Sequence, residues 1–123
     1  MLKKKILAID DSAIVLKQLQ NILDKKFDFV GVTSGLAALK RLDNEVFDLV
    51  LLDLEMPVMD GFATLTSIRQ REVLKDIPII ILTGTRHKQK VIKGITSGVA
   101  GYIVKPADSE QLLAKIETTL GLR

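Results

Sequence analysis

The sequence contains no cysteine and only one histidine, His87. Without cysteine the chain can form neither a disulfide framework nor a thiolate metal site. A single histidine leaves too few nitrogen ligands for the usual zinc sites. Any metal ion bound by this protein must therefore be held by oxygen atoms.

Long hydrophobic runs are absent as well. The longest apolar stretches, residues 49–52 and 77–82, are far shorter than the roughly 18 residues that a membrane-spanning helix needs. The first residues lead through Lys3, Lys4 and Lys5 straight into a strand-like run, without the apolar core and cleavage site of a secretory signal. These absences predict a soluble, cytoplasmic protein that does not enter a membrane.

The excess of positive charge is small, with a formal net charge of +3, and the basic residues are spread over many segments. Nucleic-acid binding would need a basic stripe, so we expect no direct nucleic-acid partner. The length of 123 residues suits one compact domain, because domains most often contain roughly 100 to 150 residues. No long Pro/Gly/Ser tract divides the chain, and we expect residues 1–123 to form a single domain.

Short apolar runs alternate with segments of helical periodicity. The runs of strand length and composition are residues 6–9, 27–32, 49–52, 79–82 and 102–104. Apolar residues recur at helical spacing within residues 15–23, 39–42, 62–68, 91–99 and 112–120. Ser34 and Asp108 are suited to cap helices, and Gly121 to end the last one. This βα repeat predicts an α/β fold, an open parallel sheet with helices on both faces.

Polar residues follow four of the predicted strands at their carboxyl ends, where doubly wound sheets bind ligands. They are Asp10 and Asp11 after the first strand, Asp53 after the third, Thr83 after the fourth and Lys105 after the fifth. Carboxylates on one rim repel one another unless a cation joins them, and Mg²⁺ prefers oxygen ligands and phosphate. The pattern predicts a Mg²⁺ site with Asp53 as a nucleophile for phosphoryl transfer.

All of these residues except Asp53 also have a simpler structural explanation. Asp10 and Asp11 are suited to cap the first helix. Thr83 is a common strand residue, and Lys105 alone would be a solvated surface lysine. The combination favours a site, because chance would have to place acids, a hydroxyl and an amine at neighbouring strand ends.

The same residues resemble the signature of response-regulator receiver domains, over essentially the whole chain. The matching motifs are Asp10-Asp11, Asp53-Leu54-Glu55-Met56-Pro57, Asp60-Gly61, Thr83 and Lys105-Pro106. The resemblance implies a flavodoxin-like three-layer sandwich. Its five-stranded parallel sheet would have the strand order 2-1-3-4-5 and would carry five helices.

The resemblance also implies the chemistry of the site. Asp53 would accept a phosphoryl group from a sensor histidine kinase or a phosphotransfer protein. Asp11 and Asp53 would bind Mg²⁺ directly, Glu55 through its backbone carbonyl and Asp10 mainly through water. Lys105 would pair with the carboxylate or with phosphoryl oxygens.

A conformational switch is implied by the same resemblance. Thr83 would move toward the new phosphoryl group and allow Tyr102 to change from an exposed to a buried rotamer. The Lys105–Pro106 peptide bond would be cis. The new conformation would be read by an unidentified downstream protein or output domain, on the face formed by the fourth helix, fifth strand and fifth helix.

Two alternative functions stay open. Asp53 and Glu55 are similar to the Asp-x-Asp motif of small Mg²⁺-dependent phosphatases, although those enzymes carry the nucleophile on their first strand. A degenerate receiver that acts only as an interaction module is the other. We expect a switch, which catalyses only phosphoryl transfer to its own aspartate and the later autodephosphorylation.

Overall fold

The computed structural model describes residues 3–56, 60–84 and 98–123. Its strands are β1 (Lys5–Ile9), β2 (Asp28–Val32), β3 (Leu49–Leu52), β4 (Ile79–Thr83) and β5 (Gly101–Val104). Its described α-helices are α1 (Ala13–Leu23), α2 (Gly35–Asn44), α3 (Gly61–Gln70) and α4 (Ser109–Thr119). A single turn of 3-10 helix, Glu72–Leu74, follows α3.

The strands form one parallel sheet in the order β2-β1-β3-β4-β5. Every residue of β3 and β4 is buried, as expected for strands that are covered by helices on both faces. The prediction of a flavodoxin-like parallel sheet is therefore confirmed. The strand order reverses between β1 and β3, so the ligand crevice of this fold lies at their carboxyl ends.

Alternate residues of each strand enter opposite hydrophobic clusters, as the twofold periodicity of a strand requires. In β1, Leu7 and Ile9 pack in the cluster that contains side chains of α2 and α3. Ile6 and Ala8 pack in the other, with side chains of α1 and α4. The sheet is thus the middle of three layers.

Each described α-helix begins at a side chain that accepts a hydrogen bond from a backbone N–H three residues later. These caps are Ser12, Ser34, Asp60 and Asp108, of which Ser34 and Asp108 were predicted. Gly121 follows α4 with a φ of 74°, a left-handed conformation that costs glycine little and suits the residue after a helix.

The helix predicted within residues 91–99 lies largely in 85–97, outside the described residues. Val99 is described, and it packs half-buried against the core without being helical. The count of five helices therefore stays a prediction. In the described ranges, no helix has the length and apolar character needed to cross a membrane.

Candidate functional site

Three of the predicted site residues directly follow strands of the sheet. Their backbone N–H groups extend the hydrogen-bonded pairing of those strands by one residue. Asp10 donates to Val32 at 3.1 Å, Asp53 to Ile9 at 2.9 Å, and Lys105 to Thr83 at 2.9 Å. Each of these side chains therefore starts from a fixed backbone position. The parallel direction of the strands brings them to the same edge of the sheet.

Asp10, Asp11 and Asp53 form a carboxylate cluster at that edge. One oxygen from each residue lies within 4.8 Å of the others. Asp10 is 3% exposed and Asp53 is 4% exposed, whereas Asp11 faces solvent. Converging carboxylates that leave an open side match the ligand chemistry of Mg²⁺, which keeps several of its waters.

Glu55 lies beside this cluster, two residues after Asp53. Its backbone N–H donates to Asp53 Oδ1 at 3.1 Å, and its side chain is exposed. The hydrogen bond fixes the orientation of the Asp53 carboxylate. That the Glu55 carbonyl binds metal stays a prediction.

Lys105 reaches the carboxylates from the edge strand β5. Its Nζ forms an ion pair with Asp10 Oδ2 and lies 3.5 Å from Asp53 Oδ2. The following Lys105–Pro106 bond is cis, as predicted. The ammonium group therefore contacts both buried acids, with Asp10 as the nearer partner.

Burial raises the pKa of Asp10, because removal from water disfavours the charged carboxylate. The hydrogen bonds from Lys105 and from the Ser12 backbone N–H act in the opposite direction and lower the pKa, but burial prevails. The nearby Asp53 carboxylate adds a smaller upward contribution. A cation bound at this cluster would lower the pKa of Asp10, because a nearby positive charge stabilises the ionised carboxylate.

Thr83 is fully buried at the end of β4. Its Oγ1 has no hydrogen-bond partner in the described part of the chain, which is uncommon for a buried hydroxyl. Tyr102 lies on the neighbouring strand, paired in register with Ile81, and packs half-buried against the core. The structure thus brings Thr83 to the predicted edge and places Tyr102 one strand away.

The structure assigns two further roles near the site, and the first differs from the sequence prediction. Ser12, not Asp10 or Asp11, caps α1, so the acidic pair is left for the site. Gly61 allows a close approach of two backbone segments, because a Cβ atom there would lie 2.3 Å from the Asp53 carbonyl oxygen. The neighbouring motif residue Pro57 lies outside the described residues.

The family model of the response regulator receiver domain matches residues 6–117. The chain belongs to this family. Receiver domains are signalling modules of two-component systems. The carboxylate cluster described above agrees with the acidic pocket of such a module.

Curated relatives include both long and short response regulators. The rice two-component response regulator ORR24 (Oryza sativa) is 39% identical over 112 residues, which are 88% of this chain and 17% of that protein. The chemotaxis protein CheY-3 of Vibrio cholerae is 36% identical over 115 residues, covering 92% of this chain and 88% of CheY-3. The chain thus matches only a small part of the rice protein but most of the bacterial one.

Solved structures share the fold. The response regulator TrrA from Thermotoga maritima, crystallised in complex with Mg²⁺ and BeF, superimposes with a TM-score of 0.83 at 29% identity. The match covers 94% of this chain and 97% of TrrA. The described sheet and helices are therefore those of a receiver.

Proposed function

We propose that this receiver accepts a phosphoryl group on Asp53 and relays a signal through the resulting conformational change. The observation that carries the proposal is the buried Asp53 carboxylate, which is oriented by the Glu55 N–H and lies 3.5 Å from the Lys105 ammonium. Buried carboxylates with a defined orientation are suited to form acyl phosphates. The donor would be a sensor histidine kinase or a phosphotransfer protein.

In the proposed step, an Asp53 carboxylate oxygen attacks the phosphorus atom of a phosphohistidine. A P–O bond to Asp53 forms as the P–N bond of the donor breaks, and the released imidazole nitrogen takes a proton from solvent. Lys105 would balance the negative charge of the transferring group. No external substrate is turned over, so the chain would act on itself and would not be an enzyme in the usual sense.

Mg²⁺ is the proposed cofactor, with Asp10, Asp11, Asp53 and the Glu55 carbonyl as the residues that would hold it directly or through water. Support comes from the oxygen-only donor set, whose three carboxylates converge within 4.8 Å, and from the Mg²⁺ in the TrrA complex. When bound, the ion would neutralise charge on the phosphoryl oxygens. Its +2 charge would also offset the burial of the Asp10 and Asp53 carboxylates.

Thr83, Lys105 and Tyr102 would form the switch. A phosphoryl group carries nearly two negative charges and strong acceptor oxygens, and the buried Thr83 hydroxyl has no partner in the described residues. We infer that Thr83 turns toward the phosphoryl group and that Tyr102 then becomes more buried. Such switches bias two packings that differ by about a few kcal/mol.

The proposal also covers the cellular location of the domain and its downstream partner. We propose that residues 1–123 act as one receiver domain in the cytoplasm and signal to a downstream protein or output domain. The modest net charge of +3 supports a protein partner over direct contact with nucleic acid or membrane.

Neither alternative function has a specific observation in its favour. Asp53 follows the central strand β3, whereas the phosphatase motif places its nucleophile after the first strand. The Glu55 side chain is exposed and is not part of the carboxylate cluster of Asp10, Asp11 and Asp53, so nothing marks it as the second catalytic acid of a phosphatase. A degenerate interaction module would not need the buried acids, the hydroxyl and the lysine to converge.

The test is intact mass after incubation with acetyl phosphate, with and without Mg²⁺. We expect the unaltered protein to gain one phosphoryl group when Mg²⁺ is present and Asp53→Asn to gain none, because the amide lacks the nucleophile. Asp28→Asn is a matched control, since Asp28 is exposed at the opposite end of the sheet. Labelling of Asp53→Asn would show that the acceptor is another residue.

A further inference from the structure

Lys105 is shared unequally between the two buried acids of the site. We propose that Lys105 competes with the divalent cation for Asp10, and that metal binding displaces its ammonium group toward Asp53. The inference rests on the proposed function for the identity of the metal site. It adds a role for Lys105 before any phosphoryl group is present.

Charge balance gives the first reason. Asp10 and Asp53 are both almost completely buried, and ionised carboxylates are retained in such places only when they are paired. Within the described ranges, Lys105 is the only cation that forms an ion pair with either residue. In the absence of metal, Lys105 is therefore the internal counter-ion of the site.

The partners of each oxygen give the second reason. Asp10 Oδ1 accepts the Ser12 N–H at 2.9 Å, and Asp10 Oδ2 is paired with Lys105. Each Asp10 oxygen thus already has a partner, and a cation near Asp10 brings a second positive charge close to the Lys105 ammonium, which repels it. The N–H is part of the backbone that starts α1, whereas the lysine is a flexible side chain. The ion pair is the contact that can yield.

Asp53 offers the displaced ammonium a place to move. Its Oδ1 accepts the Glu55 N–H, while Oδ2 lies 3.5 Å from Lys105 Nζ. A small rotation of the lysine side chain would tighten this contact as the contact with Asp10 opens. The exchange would also bring the ammonium closer to the group that receives the phosphoryl.

The consequence is a measurable metal affinity effect. An ammonium group that must be displaced from Asp10 opposes a divalent cation there, both by repulsion and by loss of the ion pair. Lys105→Met removes the charge and keeps a long side chain, so it should tighten Mg²⁺ binding by roughly three- to tenfold. A lysine that only contacts phosphoryl oxygens would leave Mg²⁺ binding to the unphosphorylated protein unchanged.

We would measure Mg²⁺ binding by isothermal titration calorimetry without any phosphodonor. Lys17→Met serves as the matched control, because it removes the same charge from an exposed position on α1. We expect a lower Kd for Lys105→Met and an unchanged Kd for Lys17→Met. Equal or weaker Mg²⁺ binding by Lys105→Met would overturn the proposal.

A double-mutant cycle tests whether Asp10 is the residue for which the two cations compete. Most of the gain from Lys105→Met should disappear in an Asp10→Asn background, since residues in direct contact are energetically coupled. A gain of the same size in both backgrounds would mean that Lys105 acts through Asp53 or through its general field, and would refute competition for Asp10.

A measurement on the unaltered protein covers the case in which Lys105→Met does not fold. The Nζ resonance of Lys105 in NMR spectra should shift when Mg²⁺ saturates the site, and an unshifted resonance would contradict the exchange. If the unaltered protein binds no Mg²⁺ at all, the metal site of the proposed function fails. That outcome differs from Mg²⁺ binding with equal affinity in all variants, which refutes this inference alone.

Discussion

Asp43 and Arg71 form a two-bond ion pair on the surface that links α2 to the residue after α3. Arg71 Nε lies 2.7 Å from Asp43 Oδ1, and a second guanidinium nitrogen lies 3.2 Å from Oδ2. The hydrogen bond from Arg71 lowers the pKa of Asp43 below its ordinary value. A group whose pKa is lowered on folding stabilises the folded state above its unfolded pKa, and the effect is lost as the pH falls through the folded pKa.

The expected outcome is a pH-dependent effect of Asp43→Asn. At neutral pH the variant should unfold at a lower urea concentration than the unaltered protein, because it loses the charged partner of Arg71. In acid below the folded pKa of Asp43, the two midpoints should converge. If the difference between the two urea midpoints stays the same in acid, the charge of the Asp43 carboxylate is not what stabilises the folded state.

Gly61 has a steric role that can be tested directly. A Cβ atom at this position would lie 2.4 Å from Leu54 Cα and even closer to the Asp53 carbonyl oxygen. Both neighbours are backbone atoms, so Gly61→Ala should destabilise the protein by about 1–3 kcal/mol in urea unfolding. Gly84→Ala is the control for stability, because a Cβ at Gly84 meets no atom of the described residues within 4 Å.

The outcome for phosphorylation follows from the same contact. Since the methyl group added by Gly61→Ala would push on the peptide that carries Asp53, the initial rate of labelling by acetyl phosphate should fall in this variant. An unaltered rate together with unaltered stability would show that the backbone there is free to relax.

At the residue scale, the sequence predicted which side chains meet but not how they pair. Asp10, Asp53 and Thr83 could be assigned to one edge because each directly follows or ends an apolar strand. That Lys105 lies nearer to Asp10 than to Asp53 could not be predicted. This contact joins residues 95 positions apart and depends on side-chain rotamers that no sequence pattern encodes.

Arg69 connects separate elements from its position near the end of α3. Its guanidinium donates to the carbonyl oxygens of Leu74 at 3.1 Å, Ile77 at 2.8 Å and Gly98 at 2.9 Å. These carbonyls belong to the 3-10 turn, the approach to β4 and the turn before β5. Arginine satisfies them together because its planar fork presents several donors at once.

Arg69→Met should therefore lower the free energy of unfolding by about 2 kcal/mol, since hydrogen bonds from a charged donor are lost and carbonyls are left unpaired. Chemical denaturation measures the loss. Arg123→Met is the control, because the Arg123 side chain is 54% exposed where it pairs with Glu117 at 3.3 Å, and an ion pair with an exposed partner should contribute little. Equal effects of the two substitutions would argue against a linking role for Arg69.

At the element scale, all five strands were predicted to within one residue at each end. Buried parallel strands are continuous apolar runs, which makes them easy to find. The 3-10 turn of Glu72–Leu74 was not predicted, because a single turn is too short to show periodicity. The cap at Ser12 was missed because Asp10 and Asp11 are equally good capping residues.

At the scale of the whole molecule, the βα alternation predicts a parallel sheet but not the order of its strands. Several orders satisfy right-handed crossovers and two covered faces. The order 2-1-3-4-5 came from the resemblance to receivers, and the sheet has that order. In this order β3 lies between β1 and β4, which makes Asp53 the neighbour of both Asp10 and Thr83 along the edge.

The position of each group across the sheet has a consequence for how a signal travels. Asp53 follows β3, which is paired on both sides, whereas Tyr102 lies on β5, which has one strand neighbour in the sheet. Thr83 ends β4, between them. Thr83 therefore lies between Asp53, the proposed acceptor, and Tyr102, the proposed switch residue, one strand away from each. Under the proposed function, the signal would pass across the sheet from β3 through β4 to β5, by changes in the Thr83 and Tyr102 side chains.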